Sequence, residues 1–555
     1  DYDDKDLLPV HIILGANEYA KIRTNESLRV GQTGEPVAEH TKLGWSIMSP
    51  GEEDKRALGC LAVNSTSDYQ RLCALDVLGL ADNVGADSNI LDEFKEQLTT
   101  SEQGYYETGL PWKAHHKPLL SNMNGSLQRL HPLLRKLKRT DMLTQYDAII
   151  REQIEQGIVE KAPTLATGEE FYLPHRPVVR EDAETTKIRI VYDASARERE
   201  DAPSLNECLI TGPPLHNQLW SVIVRSRFHP VALTGDLQKA FLQIMVREPD
   251  RDALRFHWIK DLHSTEVEIL RFTRVVFGLT SSPFLLNGVI ARHLELMESR
   301  YPELVAEIRK SLYVDDLISG APTVEQAVDL KRDAAKIFGE AQFDLHKWHS
   351  NASQLESDMN DDAITFAKQQ LNANQKESGS KILGLRWDKI ADRLQIEFPS
   401  TPAVLTKRGV LAYLAKVYDP LGLISPMLLE GKIIYREICE AKVRWDGSIP
   451  DELAKRWLKW ERALPSSLSF PRSIPSYREP IQEIQIHSFG DASKRGLCAA
   501  VYTVVKQESG SMQCLVAAKS RLSKAKLTIP RLELVAGHMA LNLAVNVRNA
   551  LEGFN

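Results

Sequence analysis

SLYVDDLIS, residues 311–319, sets the adjacent carboxylates of Asp315 and Asp316 among the apolar residues Leu312, Leu317 and Ile318. The apolar flanks predict a buried strand turn. Like charges so close resist joint ionisation, so burying the pair implies divalent cations that neutralise it and are then available for chemistry. A third carboxylate, Asp236, lies in VALTGDLQKAFLQI, residues 231–244. The apolar run before it and the partly alternating Phe241, Gln243 and Met245 after it predict a second buried strand. Three carboxylates on two neighbouring strands suit two magnesium ions.

A chain of 555 residues is too long for one core and divides into several domains. Its 69 basic and 75 acidic residues leave a formal charge of −6, so any nucleic-acid surface must be a local groove. The six cysteines show no C-x2-C pair, which argues against a zinc knuckle or disulfide framework and predicts reduced core thiols. No apolar run reaches the roughly 18 residues of a membrane span, and the acidic start DYDDKD lacks the regions of a signal peptide. A soluble, intracellular chain is expected.

Short strands punctuated by Gly and Pro (VHIILGA, KLGWSIMSPG) occupy residues 1–55, and a polar linker with helices occupies 56–108. Between Ser126 and Gly157, apolar residues three and four apart predict amphipathic helices. The basic run there (Arg129, Arg135, Lys136, Lys138, Arg139) reads either as a phosphate contact or as a solvated face. Strands and helices interleave through the region containing the aspartates, as in an α+β domain around an antiparallel sheet. Helical patterns follow Pro402, with Trp457 and Trp460 as core, and a Pro-rich stretch leads to a last domain near Ile481.

The ordered set KIRIVYDAS, TGDLQKAF, FGLTSSPFLLN, LYVDD and ILGLRWD resembles the reverse transcriptases of LTR retrotransposons. TKLGWSIMSPG and YDPLGLISP (Tyr418–Pro426) look most like the BEL/Pao group. The resemblance implies an α+β multidomain chain with a right-handed polymerase of fingers, palm and thumb/connection, flanked by a partial retropepsin-like β domain and a truncated ribonuclease H-like α/β domain. The boundaries are 1–55 for the protease part, 56–108 for the linker, 109–395 for fingers and palm, 396–480 for thumb/connection and 481–555 for ribonuclease H.

By that resemblance Asp236, Asp315 and Asp316 are the ligands of two Mg²⁺ or Mn²⁺ ions. Phe241 stands where an aromatic ring gates against a ribose 2′-hydroxyl, although an aromatic at such a position is otherwise core. Arg189 is the expected triphosphate-binding arginine, with Lys187 ranked below it. Phe277 and Gly278 open the turn beneath the templating base and nucleotide, and a phenylalanine replaces the glutamine of retroviral enzymes there. Lys347 resembles the lysine that protonates pyrophosphate, with a plain surface lysine as the rival reading. Leu383-Gly384-Leu385 resembles the turn that grips the primer. Expected partners are an RNA or DNA template-primer, dNTPs and a tRNA primer, with no membrane. The expected location is cytoplasmic, in a virus-like particle, or nuclear.

Asp491 in IQIHSFGDASKRGLCAAVY and Glu533 in LTIPRLELVAGHMALNLAV resemble the first two metal-binding carboxylates of ribonuclease H. The family's later aspartates have no counterpart, so robust cleavage of RNA–DNA hybrids is not expected, and a structural remnant is the alternative. HIILGANEYAKI and GQTGEPVAEHTKLGWSI resemble the C-terminal part of a retropepsin. Neither Asp-Thr-Gly nor Asp-Ser-Gly occurs, so no proteolysis is expected of this chain alone. Two rivals to the polymerase remain: a Pao-type peptidase segment, and an inactive or domesticated nucleic-acid-binding remnant.

Overall fold

The structure, a computed structural model, describes residues 24, 29–30, 37–42, 44–48, 88–179, 188–262, 266–356, 380–524 and 527–554. VHIILGA, most of the linker, Lys187, Cys60 and Cys73 lie outside the described residues. The chain forms two units, Asp1–Ala81 and Asp82–Asn555. In the first, β1 (Arg29–Val30), β2 (Val37–Thr41) and β3 (Gly44–Met48) pair in order as an antiparallel meander.

The second unit opens with α1 (Ser88–Gln97), β4 (Thr99–Thr100), β5 (Tyr106–Thr108), α2 (Met123–Arg139) and α3 (Leu143–Glu155). Then come β6 (Val159–Lys161), β7 (His175–Val179), β8 (Ile188–Tyr192), α4 (Leu205–Cys208), α5 (Leu219–Ser226) and β9 (Val231–Leu237). Next are β10 (Met245–Val246), β11 (Arg255–Ile259), β12 (Val267–Phe272), α6 (Ser282–Met297), α7 (Pro302–Ser311), β13 (Leu312–Tyr313), β14 (Asp316–Ala321), α8 (Val324–Glu340) and β15 (Leu345–Ser350). The rest is β16 (Ser380–Ile382), β17 (Leu385–Asp388), β18 (Arg393–Glu397), α9 (Lys407–Lys416), α10 (Ser425–Glu440), α11 (Asp451–Ala463), β19 (Ser467–Pro471), β20 (Ile481–Ala492), β21 (Gly496–Gln507), β22 (Gly510–Leu522) and α12 (Ile529–Ala550).

Strands β13, β14, β9 and β15 pair antiparallel in that order to form the sheet that carries the aspartates. Its inner face joins a continuous core in which Leu233, Leu317 and Val231 are fully buried. The helical periodicities hold: Leu130, Leu133 and Leu137 of α2 and Tyr146 and Ile150 of α3 are buried in that core, and Trp457 is fully buried against Tyr413 and Trp460. Among the described residues no helix is long and apolar enough to cross a membrane.

Two expectations need correction. The strand through Asp236 ends at Leu237, and Phe241 and Gln243 fall in a 3₁₀ turn, Ala240–Gln243, entered through Lys239 at φ 48°. Only Met245 returns to a strand, so the apparent alternation marked a bend. Cys208 is buried as expected, but Cys498 is exposed, because strand alternation puts it on the outer face between buried Leu497 and Ala499.

Behind β7 and β11 lies a buried ring cluster. Tyr146 Oη meets His175 Nδ1 at 2.6 Å, His175 Nε2 meets the His257 carbonyl at 3.0 Å, and His257 Nδ1 meets Ser126 Oγ at 3.1 Å. Burial lowers both imidazoles from the usual 6.5 to about 4. Both rings stay neutral in the fold and take up a proton only when it opens. The stability they secure is present above 6.5 and lost as the pH falls toward about 4. Urea midpoints should therefore fall between about pH 7.5 and about pH 5, and the His175→Gln variant should show a shallower fall. An unchanged slope would contradict this account.

Buried arginines tie the last sheet to α5, and the β16–β19 sheet to α5 and the start of β9. Arg227, 1% exposed, donates to the carbonyls of Leu515 and Val516 on β22 at 2.9 and 2.8 Å. Arg225 donates to the carbonyls of Ala550 and Glu552 at the end of α12, pairs with Glu307 and lies 4.5 Å over the Phe554 ring. Arg472, fully buried, pairs with both oxygens of Asp392 at 2.6 Å. It also donates to the carbonyls of Ser226, His229 and Pro230.

Candidate active site

Antiparallel pairing puts Asp316 directly opposite Asp236. Between β13 and β14 only Val314 and Asp315 make the turn, and Leu237 N–H donates to the Asp315 carbonyl at 2.9 Å, which fixes that turn against β9. Val314 takes φ 56°, a left-handed conformation that a β-branched residue adopts only under strain. The surrounding strands hold it there, since Leu312, Leu317 and Ile318 are all buried.

The neighbouring strand β15 is bulged. Its register to β9 shifts between His346 and His349, and Lys347 takes φ 50°. The bulge brings His346 Nε2 to 3.0 Å and Lys347 Nζ to 3.2 Å from the same Asp236 oxygen, Oδ2. A Cβ on Gly235 would lie 2.9 Å from the buried Trp348 ring, so only glycine lets β9 pass this close beneath the bulge. The contact of His346 with Asp236 was not read from sequence, because FDLHKWHS alternates His with other polar residues and gives no sign of a bulge.

Burial raises the Asp315 carboxyl above its usual range, with the Asp236 charge adding to it. Burial, then Asp315 and then Asp236, push Asp316 up to about 6. Lys347 opposes both shifts. The carboxylates thus form an under-neutralised anionic site. Asp236, Asp316, Lys347, Lys381 and Leu383 border a pocket of about 280 Å³ beside it.

Among the described residues no group of three or more His, Cys, Asp and Glu side chains is arranged as a ready metal cage. The donor set nevertheless fits hard divalent cations: it supplies carboxylate oxygens alone, its charges repel, and a lysine ammonium sits on one of them as a monovalent stand-in.

Phe241 is 8% exposed and meets Phe277, 50% exposed, edge to face at 4.7 Å. Gly278 takes φ 108°, and a Cβ there would lie 2.6 Å from the Tyr192 carbonyl. Asn206 clamps this turn, donating to the Gly278 carbonyl and accepting from Thr280 N–H, a role its sequence neighbours did not signal. Arg189 is exposed on β8, paired in register with Val178 of β7. Leu383 and Gly384 form the left-handed turn between β16 and β17, at φ 45° and 89°.

Asp491 and Glu533 are both exposed, on β20 and α12. A Cβ on Gly490 would lie 2.6 Å from the Ala536 carbonyl, so α12 crosses β20 beside Asp491 and less than one turn from Glu533. The third strand of this sheet, β22, leaves no signal in the sequence, because SMQCLVAAKSRL mixes polar and small residues on both faces.

A family model described as reverse transcriptase (RNA-dependent DNA polymerase) matches residues 209–378. One described as Pao retrotransposon-like RNaseH-like domain matches residues 406–554, taking in α9 to α11 as well as the last sheet. None of the curated proteins compared matches the chain. Solved structures similar to it include a foamy viral protease-reverse transcriptase dRH with double-stranded DNA, at 14% identity and TM-score 0.44 over 84% of this chain and 73% of that one. Others are foamy viral protease-reverse transcriptases with an RNA/DNA hybrid, at 14% identity and TM-score 0.44 over 87% and 56%, and with double-stranded DNA, at 15% and 0.43 over 87% and 86%.

Proposed function

We propose that this chain, a Pao-type retrotransposon Pol segment by its two family matches, extends a primer by two-metal phosphoryl transfer of dNTPs at Asp236, Asp315 and Asp316. Its reverse transcriptase domain makes it an RNA-directed DNA polymerase. The observation that carries the chemical reading is the cross-strand pairing of Asp236 with Asp316 at a strained two-residue turn bearing Asp315.

In this reading the central sheet is the palm, α2, α3 and the β7–β8 hairpin belong to the fingers, and α9 to α11 to a thumb or connection. The meander β1–β3 is the retropepsin-like part, and Asp491 and Glu533 are carboxylates of a ribonuclease H-like site. Asp236, Asp315 and Asp316 would hold Mg²⁺ or Mn²⁺. Such ions, when bound, lower the pKa of the primer hydroxyl and stabilise the leaving pyrophosphate. Arg189 offers a planar fork to the triphosphate. Gly278 lets backbone approach the templating pair. Lys347 carries a proton toward the pyrophosphate once it leaves Asp236. Template-primer contacts run mainly to the backbone, so binding weakens steeply with salt, and a tRNA serves as primer.

The test is Mg²⁺-dependent incorporation of dNTPs on a primed RNA template. Template-dependent extension that stops with chelator supports the reading. Folded, template-binding protein that never extends would leave the inactive remnant. Within an active enzyme, Phe241→Ala should erode the preference for dNTPs over rNTPs on the order of 10²-fold, read as the ratio of kcat/KM values, because a methyl leaves room for the 2′-hydroxyl. An unchanged ratio assigns Phe241 to the core alone.

A further inference from the structure

YDPLGLISP, Tyr418–Pro426, has no part in the chemistry above, yet it lies between the aspartate pocket and the last sheet. We propose that Tyr418 is a positioning residue for primer extension: it holds the Leu383–Gly384 turn at the rim of the pocket, and its loop ties that turn to β22. The assignment rests on the polymerase reading.

The Tyr418 hydroxyl donates to the Leu383 carbonyl at 2.9 Å. A Cβ on Gly384 would lie 3.2 Å from Tyr418 Cε1, so the ring lies against the tip of the hairpin. Leu383 and Lys381 of that hairpin border the same pocket as Asp236 and Asp316. Burial, with Tyr313 adding to it, raises the Tyr418 hydroxyl above its usual range, so the donor stays protonated at working pH. The ring is nevertheless 42% exposed, although tyrosine that serves only packing is usually covered.

The rest of the loop is hydrogen-bonded and docked. The Asp419 carboxylate accepts from Leu423 and Ile424 N–H, both at 2.9 Å, and orders the turn into α10. Ala518 N–H on β22 donates to the Leu421 carbonyl at 2.8 Å. Gly422, at φ 71°, lies so close to β22 that a Cβ would sit 1.8 Å from the Ala518 carbonyl. The contacts with the hairpin and with β22 therefore lie within five residues, Tyr418 to Gly422, a short path by which a displacement of β22 reaches the hairpin.

Single-nucleotide incorporation on a primed RNA template, with Tyr418→Phe against the unaltered chain, tests this. The substitution removes one hydroxyl and keeps the ring. The expected result is a fall in kcat of about fivefold, the effect of one neutral hydrogen bond on alignment, with the dNTP KM and the template-primer Kd each within about twofold. Amide hydrogen exchange in residues 380–388 should speed up in the same variant. An unchanged kcat with unchanged exchange overturns the proposal, as does a loss confined to KM or Kd, which would make Tyr418 a binding contact. An unaltered chain that incorporates nothing overturns the polymerase reading and this assignment with it, and that failure shows in the unaltered chain alone. Gly422→Ala should reproduce the kcat loss by lifting the loop from β22, and normal kcat in that variant, folded, would overturn the coupling to the last sheet.

Discussion

Asp315→Asn should abolish primer extension, on the order of 10³-fold or more in kcat, and at the same time raise the thermal midpoint of the protein. The first effect follows if the carboxylate is a ligand for which a neutral amide cannot substitute. The second follows from its surroundings. Burial and the Asp236 charge raise the Asp315 carboxyl, which means the fold disfavours its ionised form. A group raised in this way opposes folding wherever it is ionised, so the metal-free protein gains stability as the pH falls through the raised value. The isosteric amide removes that penalty at neutral pH. Primer extension and calorimetry on the same preparation check both halves. A variant that loses activity and stability together would mean that Asp315 is structural, and retained activity would sink the two-metal assignment. Asp236→Asn should match it in activity.

Arg472→Ala should cost about 3–5 kcal/mol of unfolding free energy. Its guanidinium is fully buried and satisfies both oxygens of Asp392 together with the carbonyls of Ser226, His229 and Pro230. Truncation strands a carboxylate whose remaining partners are Trp387 Nε1 at 2.9 Å and Asn351 Nδ2 at 3.0 Å. It also strands the carbonyls of Ser226 and His229 ahead of the strand that carries Asp236, while the Pro230 carbonyl keeps Asn351 Nδ2 at 2.9 Å. Urea unfolding measures the loss, and Asp392→Ala added to Arg472→Ala should recover part of it, because the stranded charge is then gone. A loss under about 1 kcal/mol would show that water replaces the guanidinium.

How far the sequence could be read depends on where each signal resides. α2 and α3 were legible because their buried faces recur every three or four residues. Asp315 and Asp316 were legible because two acids within an apolar strand contradict everything around them. Phe241 was misplaced because Ala240–Gln243 reverses the chain through Lys239, and a lysine at positive φ leaves no mark in a pattern of polar and apolar residues. The arginine locks were invisible for a different reason. Arg472 and Arg227 resemble surface arginines locally, and their carbonyl acceptors lie more than two hundred residues away. His346 acquires its aspartate only through the register shift in β15.

The acceptors used by Arg225 and Arg227 carry a consequence for how such chains diverge. On the far side of the joint both take main-chain oxygens, Ala550 and Glu552 from one and Leu515 and Val516 from the other, beside two side-chain contacts, the Phe554 ring and Cys514 Sγ. Every residue supplies a carbonyl. Mutation of those four positions leaves the oxygens in place as long as strand and helix keep their course, so the last sheet can drift in sequence while the arginines cannot. Chimeras that exchange this sheet between related elements should therefore dock with few co-selected partners, Phe554 and Cys514 first among them, and the fixed half of the joint is to be sought at the end of α5 and its cap.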